Sequence, residues 1–389
     1  MSGLTFDAPT LLERARSKEG LDDLGPGSFD EPLGVLLEAY AAAELSETGA
    51  HLLRSGVVHS LRMRLRAQEW VRRHPEILDE VVVAPIVVVG MMRSGTTLVQ
   101  RLLAADDRFH SAAGWEIVEV APRLAHRWDE PDPRIEAALA REALSREWMP
   151  DLFAIHPMYA LEAEEEIVFL ADAFLSHVPE SGAHVPAYRS WIDTQDFTPA
   201  YDHLHRMLQL LQWQKRRRGE SALRWVLKTP AHLGYLDALQ ARFPDLHVVH
   251  LHRDPRETIG SGASLNATLH AMHADVVDLP RLGAEWIERM GWTNDRALAT
   301  RAAWRAQGMD VVTDLAFADV VADPIGQVAR VYDAVGLELT ATAEASMRDW
   351  SARRPRETSR PAYTLETYGL SEAQVDERFA AYSATFRQH

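Results

Sequence analysis

The chain of 389 residues contains no cysteine. Disulfides, zinc–thiolate sites, iron–sulfur clusters and thiol nucleophiles are therefore excluded. Net positive charge is missing too: 41 Lys and Arg stand against 57 Asp and Glu, a net charge of −16. A surface of that sign is unsuited to nucleic acid as its main partner, although a local positive site can still hold one small anion. Long apolar runs are absent. The longest, Val81 to Met92, is interrupted by Pro85 and Gly90 and is too short to span a bilayer. The stretch Met1 to Asp7 has neither a basic start nor an apolar core, so no secretory signal is read and the expected location is cytoplasmic. No internal repeat and no low-complexity segment stands out. The 47% hydrophobic and 25% charged content is that of an ordinary globular protein, with room for one large α/β domain or two smaller ones.

What is present starts at residue 86. Ile86-Val87-Val88-Val89 runs into Gly90-Met91-Met92-Arg93-Ser94-Gly95-Thr96-Thr97, and a helix-like stretch, Leu98 to Leu103, follows. A buried strand, a glycine loop and a helix N-terminus in that order form a phosphate cradle, because open backbone amides and the helix dipole supply positive potential. An ATP or GTP loop of this kind places a lysine after its second glycine. Here Thr96 stands at that position and the cation is Arg93, inside the loop. Such a loop should bind a phosphate without the lysine that reaches the outer phosphates of a nucleoside triphosphate.

Before the loop, residues 1–80 read as a helical N-terminal layer; residues 81–389 read as one α/β domain, its core ending near 340 and its tail helical. Helices are expected at 116–124, 133–147, 159–177, 197–217, 282–306 and Ile325 to Val335, the last capped by Gly336. Further strands are expected at Leu223–Lys228, Leu246–His252 and near 309–317. Strands alternating with helices imply a mostly parallel sheet covered on both faces, with ligands at the strands' carboxyl ends. Gly90–Thr97, Lys228–Pro230 and Arg253–Ser261 all follow strands, so three candidate segments share one rim.

Each candidate has a plainer reading. Arg93 can be surface ion-pair material, and Lys228 a solvated strand end. Arg253 can pair with Asp254, and Ser261, with Ser264 as its rival, can be a small packing residue. Glu116, after Trp115, can be a helix cap. His247, His250 and His252 suggest a metal, but the sequence places no carboxylate cluster of ligand spacing beside them. The run Glu162-Ala163-Glu164-Glu165-Glu166 reads as a solvated helix face.

Taken together, Gly90 to Leu98, Trp115-Glu116, Leu227-Lys228-Thr229-Pro230 and His252-Arg253-Asp254-Pro255 through Ser261 resemble sulfotransferases that use 3′-phosphoadenosine-5′-phosphosulfate (PAPS). The bacterial branch related to tyrosylprotein sulfotransferases is the nearest in pattern, and the resemblance covers roughly Val81 to Gly336. It implies that Arg93, Ser94, Gly95, Thr96 and Thr97 hold the 5′-phosphosulfate, that Arg253 and Ser261 bind the 3′-phosphate, and that Lys228 contacts the bridging oxygen. It also implies Glu116 as the base, although the gap from Arg93 is slightly longer here; His232, four residues beyond Lys228, is the competing base. The cytosolic steroid and phenol enzymes have lysine in the loop and tryptophan after the two threonines, where this chain has Arg93 and Leu98. Their C-terminal Arg-Lys-Gly segment has no clear copy, and Arg353-Arg354-Pro355-Arg356 is the remaining candidate. The implied activity is sulfuryl transfer to a hydroxyl of a small-molecule or lipid-like acceptor, with no metal. The alternatives are a P-loop nucleotide kinase, or a nucleotide-binding protein without turnover. An oligomer is compatible with this reading.

Overall fold

The computed structural model describes residues 5–354 and 363–386. Residues 1–4, where the leader reading began, and Arg356 of the basic stretch lie outside them. Strand β1, Ile86–Gly90, is buried along its whole length. Its alternate residues feed two different cores. Val87 and Val89 pack with Leu61, Trp70, Tyr201 and Leu208 on one face, while Ile86 and Val88 pack with Val99, Leu102, Val328 and Met347 on the other. Side chains alternate across a strand, so a strand covered on both faces reads as an unbroken apolar run.

Four more strands join it: β2 (Phe109–His110), β3 (Arg224–Lys228), β4 (His247–His252) and β5 (Val312–Ala316). The order is β2-β3-β1-β4-β5 and every pairing is parallel. Val88 lies opposite Lys228 and Gly90 opposite Leu251, so the ends of β3, β1 and β4 line up on one rim. The three segments expected there do emerge together. β2 has only two residues, too few for a periodic pattern.

The helical N-terminal layer consists of Ala8–Glu19, Asp30–Ala42 and Glu47–Arg73. It shares its apolar core with the sheet: Leu11, Leu33 and Leu61 belong to the same cluster as Val87, Leu227 and Val248. The helices Pro133–Trp148, Thr198–Arg217, Leu279–Ala306 and Pro324–Ala334 fall where expected, and Gly336 follows the last in a left-handed conformation, φ 68°. Two expectations are corrected. The helix over 116–124 is only Gly114–Val118, and the one over 159–177 is reduced to Ile167–Asp172. Residues 162–164 pair their backbone with 112–114 instead: Gly114 donates to the Glu162 carbonyl at 3.0 Å and Glu164 to the Ala112 carbonyl at 2.9 Å. Among the described residues no helix is long and apolar enough to cross a membrane.

Candidate active site

The loop after β1 is fixed from inside. Ser94 is fully buried, and its hydroxyl donates to the Met91 carbonyl at 2.7 Å. Gly95 has φ 92°, and a Cβ there would lie 2.9 Å from the Phe317 ring, so both its conformation and the space around it require glycine. The helix Thr96–Ala104 starts next; the Leu98 amide donates to the Gly95 carbonyl at 3.0 Å, and the amides of Thr96 and Thr97 come before the first intrahelical bond. Arg93 takes φ 73° although it is not glycine, a strain of roughly 1 kcal/mol that surrounding contacts must hold. They do. Its carbonyl accepts from Arg253 Nη1 at 2.8 Å, its Nε donates to Ser261 Oγ at 3.2 Å, and its Nη1 donates to the Ile155 carbonyl at 2.9 Å.

The structure thus gathers Arg93, Arg253 and Ser261 around one loop. Asp254 and Pro255 explain how. The Asp254 carboxylate caps the amide of Arg256 at 2.8 Å and Pro255 is the first helical residue, so Arg253 leaves β4 just before the helix Pro255–Ala271 and Ser261 lies about two turns along it. Arg253 is steadied by Glu257 and by the Phe317 ring, 4.1 Å from its guanidinium carbon. Ser264 lies further along the same helix, where its carbonyl accepts from the Thr268 hydroxyl at 3.0 Å.

Lys228 is 1% exposed at the end of β3, and its ammonium pairs with Glu165. Glu165 is one of three consecutive glutamates that reach three different partners. Glu164 accepts from Arg101 Nη2 at 2.5 Å, and Glu166 accepts from the Lys228 amide at 3.0 Å and pairs with His232 Nε2 at 2.7 Å. The solvated-helix reading of this run is therefore wrong: the segment is non-helical, and Glu164 and Glu166 are buried. A signal was present, since no Lys or Arg occurs between Arg146 and Arg189 to neutralise the run locally. Burial raises the Glu165 carboxyl, but Lys228, with His156, outweighs it and holds the group below the usual carboxylate range. Burial pushes Glu164 up to about 7 against the pull of Arg101.

The two expected bases lie elsewhere. Glu116 is fully buried, and its oxygens are held by Arg218 Nη2 at 2.5 Å and Lys215 Nζ at 2.9 Å, with the Ala113 amide at 3.0 Å. It ties the short helix Gly114–Val118 to the end of Thr198–Arg217 and does not line the cavity. His232 is fully buried, with Nε2 on Glu166 and Nδ1 2.9 Å from the Tyr201 hydroxyl, so both ring nitrogens are engaged inside the protein.

A cavity of 370 Å³ opens beside the loop. Arg93, Thr96, Thr97, Lys228, Glu165 and His156 line one end, and Ile117, Val168, Leu265, Trp286 and Met290 line its middle. His156 was not singled out from sequence; it follows Ile155, whose carbonyl holds Arg93. Burial, together with Lys228 and Arg93, lowers its pKa despite the opposing pull of Glu165, so its imidazole is neutral at pH 7.

His250 and His252 do meet a carboxylate, Asp314, their ligand atoms within 4.8 Å of one another. Arg301 fills that position. Its Nη1 lies 2.7 Å from both His250 Nδ1 and Asp314 Oδ1, and its Nη2 lies 2.7 Å from Asp314 Oδ2. The cluster is a buried cation–carboxylate network. In the basic stretch, Arg353 pairs with Asp349 and Arg354 stacks on Trp350, both within their own helix end.

Comparison with known proteins gives a consistent picture. A model of the sulfotransferase family matches residues 85–341. Two mycobacterial proteins, from Mycobacterium bovis and Mycobacterium tuberculosis, are named omega-hydroxy-beta-dihydromenaquinone-9 sulfotransferase Stf3. Each is 26% identical over 282 residues, which cover 66% of this chain and 64% of the relative, so the match spans a little under two thirds of those proteins. The crystal structure of sulfotransferase STF1 from Mycobacterium tuberculosis is 32% identical with a TM-score of 0.80, over 96% of this chain and 98% of that one. That of sulfotransferase STF9 from Mycobacterium avium is 26% identical with a TM-score of 0.87, over 99% and 98%.

Proposed function

The chain belongs to the sulfotransferase family, and from that premise we propose that it transfers the sulfuryl group of PAPS to a hydroxyl of a small-molecule or lipid-like acceptor. The observation that carries the reading is the meeting of Arg253 and Ser261 on Arg93 at the mouth of a glycine loop that has no lysine. The donor set fits. Arg93 and the first-turn amides suit the 5′-phosphosulfate, and Arg253 with Ser261 suits a separate 3′-phosphate. The name of the curated relatives, an omega-hydroxylated menaquinone derivative, supports a lipid-like acceptor, as does the apolar middle of the cavity.

In this reading the sulfur–oxygen bond to the 5′-phosphate breaks as the acceptor oxygen bonds to sulfur. Lys228 and Arg93 stabilise the charge that grows on the leaving oxygen. Glu165 accepts the acceptor's proton, because it is the ionised carboxylate that lines the cavity beside Lys228, whereas Glu116 and His232 are turned into the protein. Positioning and fixed charge supply most of the catalysis in such in-line transfers. A phosphotransferase would need a lysine at position 96, where this chain has Thr96.

Titration calorimetry in EDTA tests the donor assignment. 3′,5′-Diphosphoadenosine should bind the wild-type protein, with ATP far weaker. Equal affinity for ATP, or a strict need for magnesium, would sink the reading.

A further inference from the structure

The cavity has a second polar end that sulfuryl transfer does not use. His177, Glu180, Ser181, Arg189, Tyr235 and Arg289 line it. Two elements run between the ends and measure their separation. In the helix Pro255–Ala271, Ser261 touches Arg93 while His270 Nε2 lies 3.1 Å from the Glu180 carbonyl. The nine steps from 261 to 270 rise about 13 Å. The 3₁₀ turn Pro230–Tyr235 begins two residues after Lys228 and ends at a hydroxyl 2.7 Å from His177 Nε2. It rises about 10 Å.

The distant end is a closed network of charge. Glu180 Oε1 accepts from Arg289 Nη2 at 3.0 Å and from His177 Nδ1 at 2.7 Å, Arg189 Nη1 lies 3.4 Å from Oε2, and Arg289 Nη1 lies 2.6 Å from Asp193. Two guanidinium groups face these two carboxylates, and a third carboxylate, Glu285 on the cavity lining, pairs with His184 Nδ1 at 2.9 Å. His177 donates from Nδ1 to Glu180 and accepts from the Tyr235 hydroxyl at Nε2, which fits a neutral ring. Burying such a network costs solvation that an apolar wall would not lose, and a wholly apolar acceptor would gain nothing from it. The network leaves no counter-charge for an ionised group, because each carboxylate and guanidinium here already has a partner inside the protein. It does leave donors: a guanidinium has five N–H groups, and the contacts of Arg189 with Glu180 and with the Glu285 carbonyl do not exhaust them.

We propose that the acceptor is an elongated, apolar molecule with its reactive hydroxyl at one end and an uncharged oxygen, carbonyl or hydroxyl, at the other, and that Arg189 selects it through that second oxygen. This rests on the sulfuryl-transfer reading of the same cavity. It separates acceptors that share a hydroxyl and an apolar body but differ at the far end.

Two probes isolate the feature: 4-hydroxy-4′-acetylbiphenyl and its isostere 4-hydroxy-4′-isopropylbiphenyl. Their affinities are measured by titration calorimetry with saturating 3′,5′-diphosphoadenosine, so turnover is not required. The wild-type protein should bind the acetyl compound about 10–100-fold more tightly. In Arg189→Met that ratio should fall to about one, with the affinity for 3′,5′-diphosphoadenosine unchanged. Arg189→Lys, which keeps the charge, should retain part of the ratio, and it carries the assignment if Arg189→Met does not fold. Equal wild-type affinities, an undiminished ratio in the variants, or no binding of either probe would overturn the proposal. Failure of 3′,5′-diphosphoadenosine itself to bind would instead strike the sulfuryl-transfer reading beneath it.

Discussion

Lys228 ends a buried strand with its ammonium already held on Glu165, so its charge is fixed rather than solvated. A cation fixed beside an oxygen that gains charge only as a bond breaks acts on the transition state more than on the bound donor. Lys228→Ala should therefore lower kcat about 10²–10³-fold while leaving donor affinity within a few-fold of wild type in steady-state and binding measurements. Lys228→Arg should recover only part, because a planar fork does not replace a compact ammonium. Glu165 and Glu116 make a paired test of which carboxylate takes the proton. Glu165→Gln should cut kcat by about 10²–10⁴-fold with donor binding kept. Glu116→Gln should instead cost stability, about 1–3 kcal/mol in urea unfolding, because it leaves Lys215 and Arg218 with only the exposed Glu220 as counter-charge. Activity per folded molecule should survive it. The opposite pattern would return the base to Glu116.

At the scale of elements, the segment 156–166 carries the part of the site that sequence did not reveal. The glycine loop, Lys228 and the Arg253–Ser261 pair were legible because each directly follows a strand, and a parallel sheet gathers its strand ends on one rim. Glu164, Glu165 and His156 follow no strand. Their places depend on backbone pairing with residues 112–114, a contact between distant stretches that no local periodicity encodes. The same segment gives a test in pH. Glu164 is raised from 4.5 to about 7, so the folded chain holds this proton more tightly than the unfolded chain. Its contribution to stability is fully present below pH 4.5 and is lost as pH rises towards 7. Glu164→Gln, which cannot ionise, should gain on wild type by about 1–3 kcal/mol between pH 5 and pH 8 in urea unfolding. A pH-independent difference between the two proteins would mean that Arg101 keeps Glu164 ionised throughout.

On the scale of the whole molecule, the N-terminal helices are part of the main core. The sequence marks residues 1–80 as a helical layer on the main domain, because the α/β alternation begins only near residue 81. The cluster joining Leu11, Leu33 and Leu61 to Val87, Leu227 and Val248 runs across that boundary, and Ser46 donates its amide to the His273 carbonyl at 2.8 Å. A chain shortened to residues 81–389 would expose one apolar face of the sheet. It should fail to give a cooperative thermal transition, whereas the full chain should unfold in a single one by calorimetry. A stable, cooperative fragment would show that the layer is a separate unit.

The three consecutive glutamates also have a consequence in time. Glu164, Glu165 and Glu166 close onto Arg101, Lys228 and His232, partners 63, 63 and 66 residues away along the chain. None of these links is local: each closes a long loop onto a different element, the helix after the glycine loop, the strand β3 or the turn beyond it, and contacts of that sequence separation slow folding. Lys228 and Glu165, brought together only by such a closure, therefore belong to the slow, non-local part of the fold. A chain still emerging short of residue 228 holds Glu165 without its ammonium partner, so the pair exists only once the strand β3 has been made.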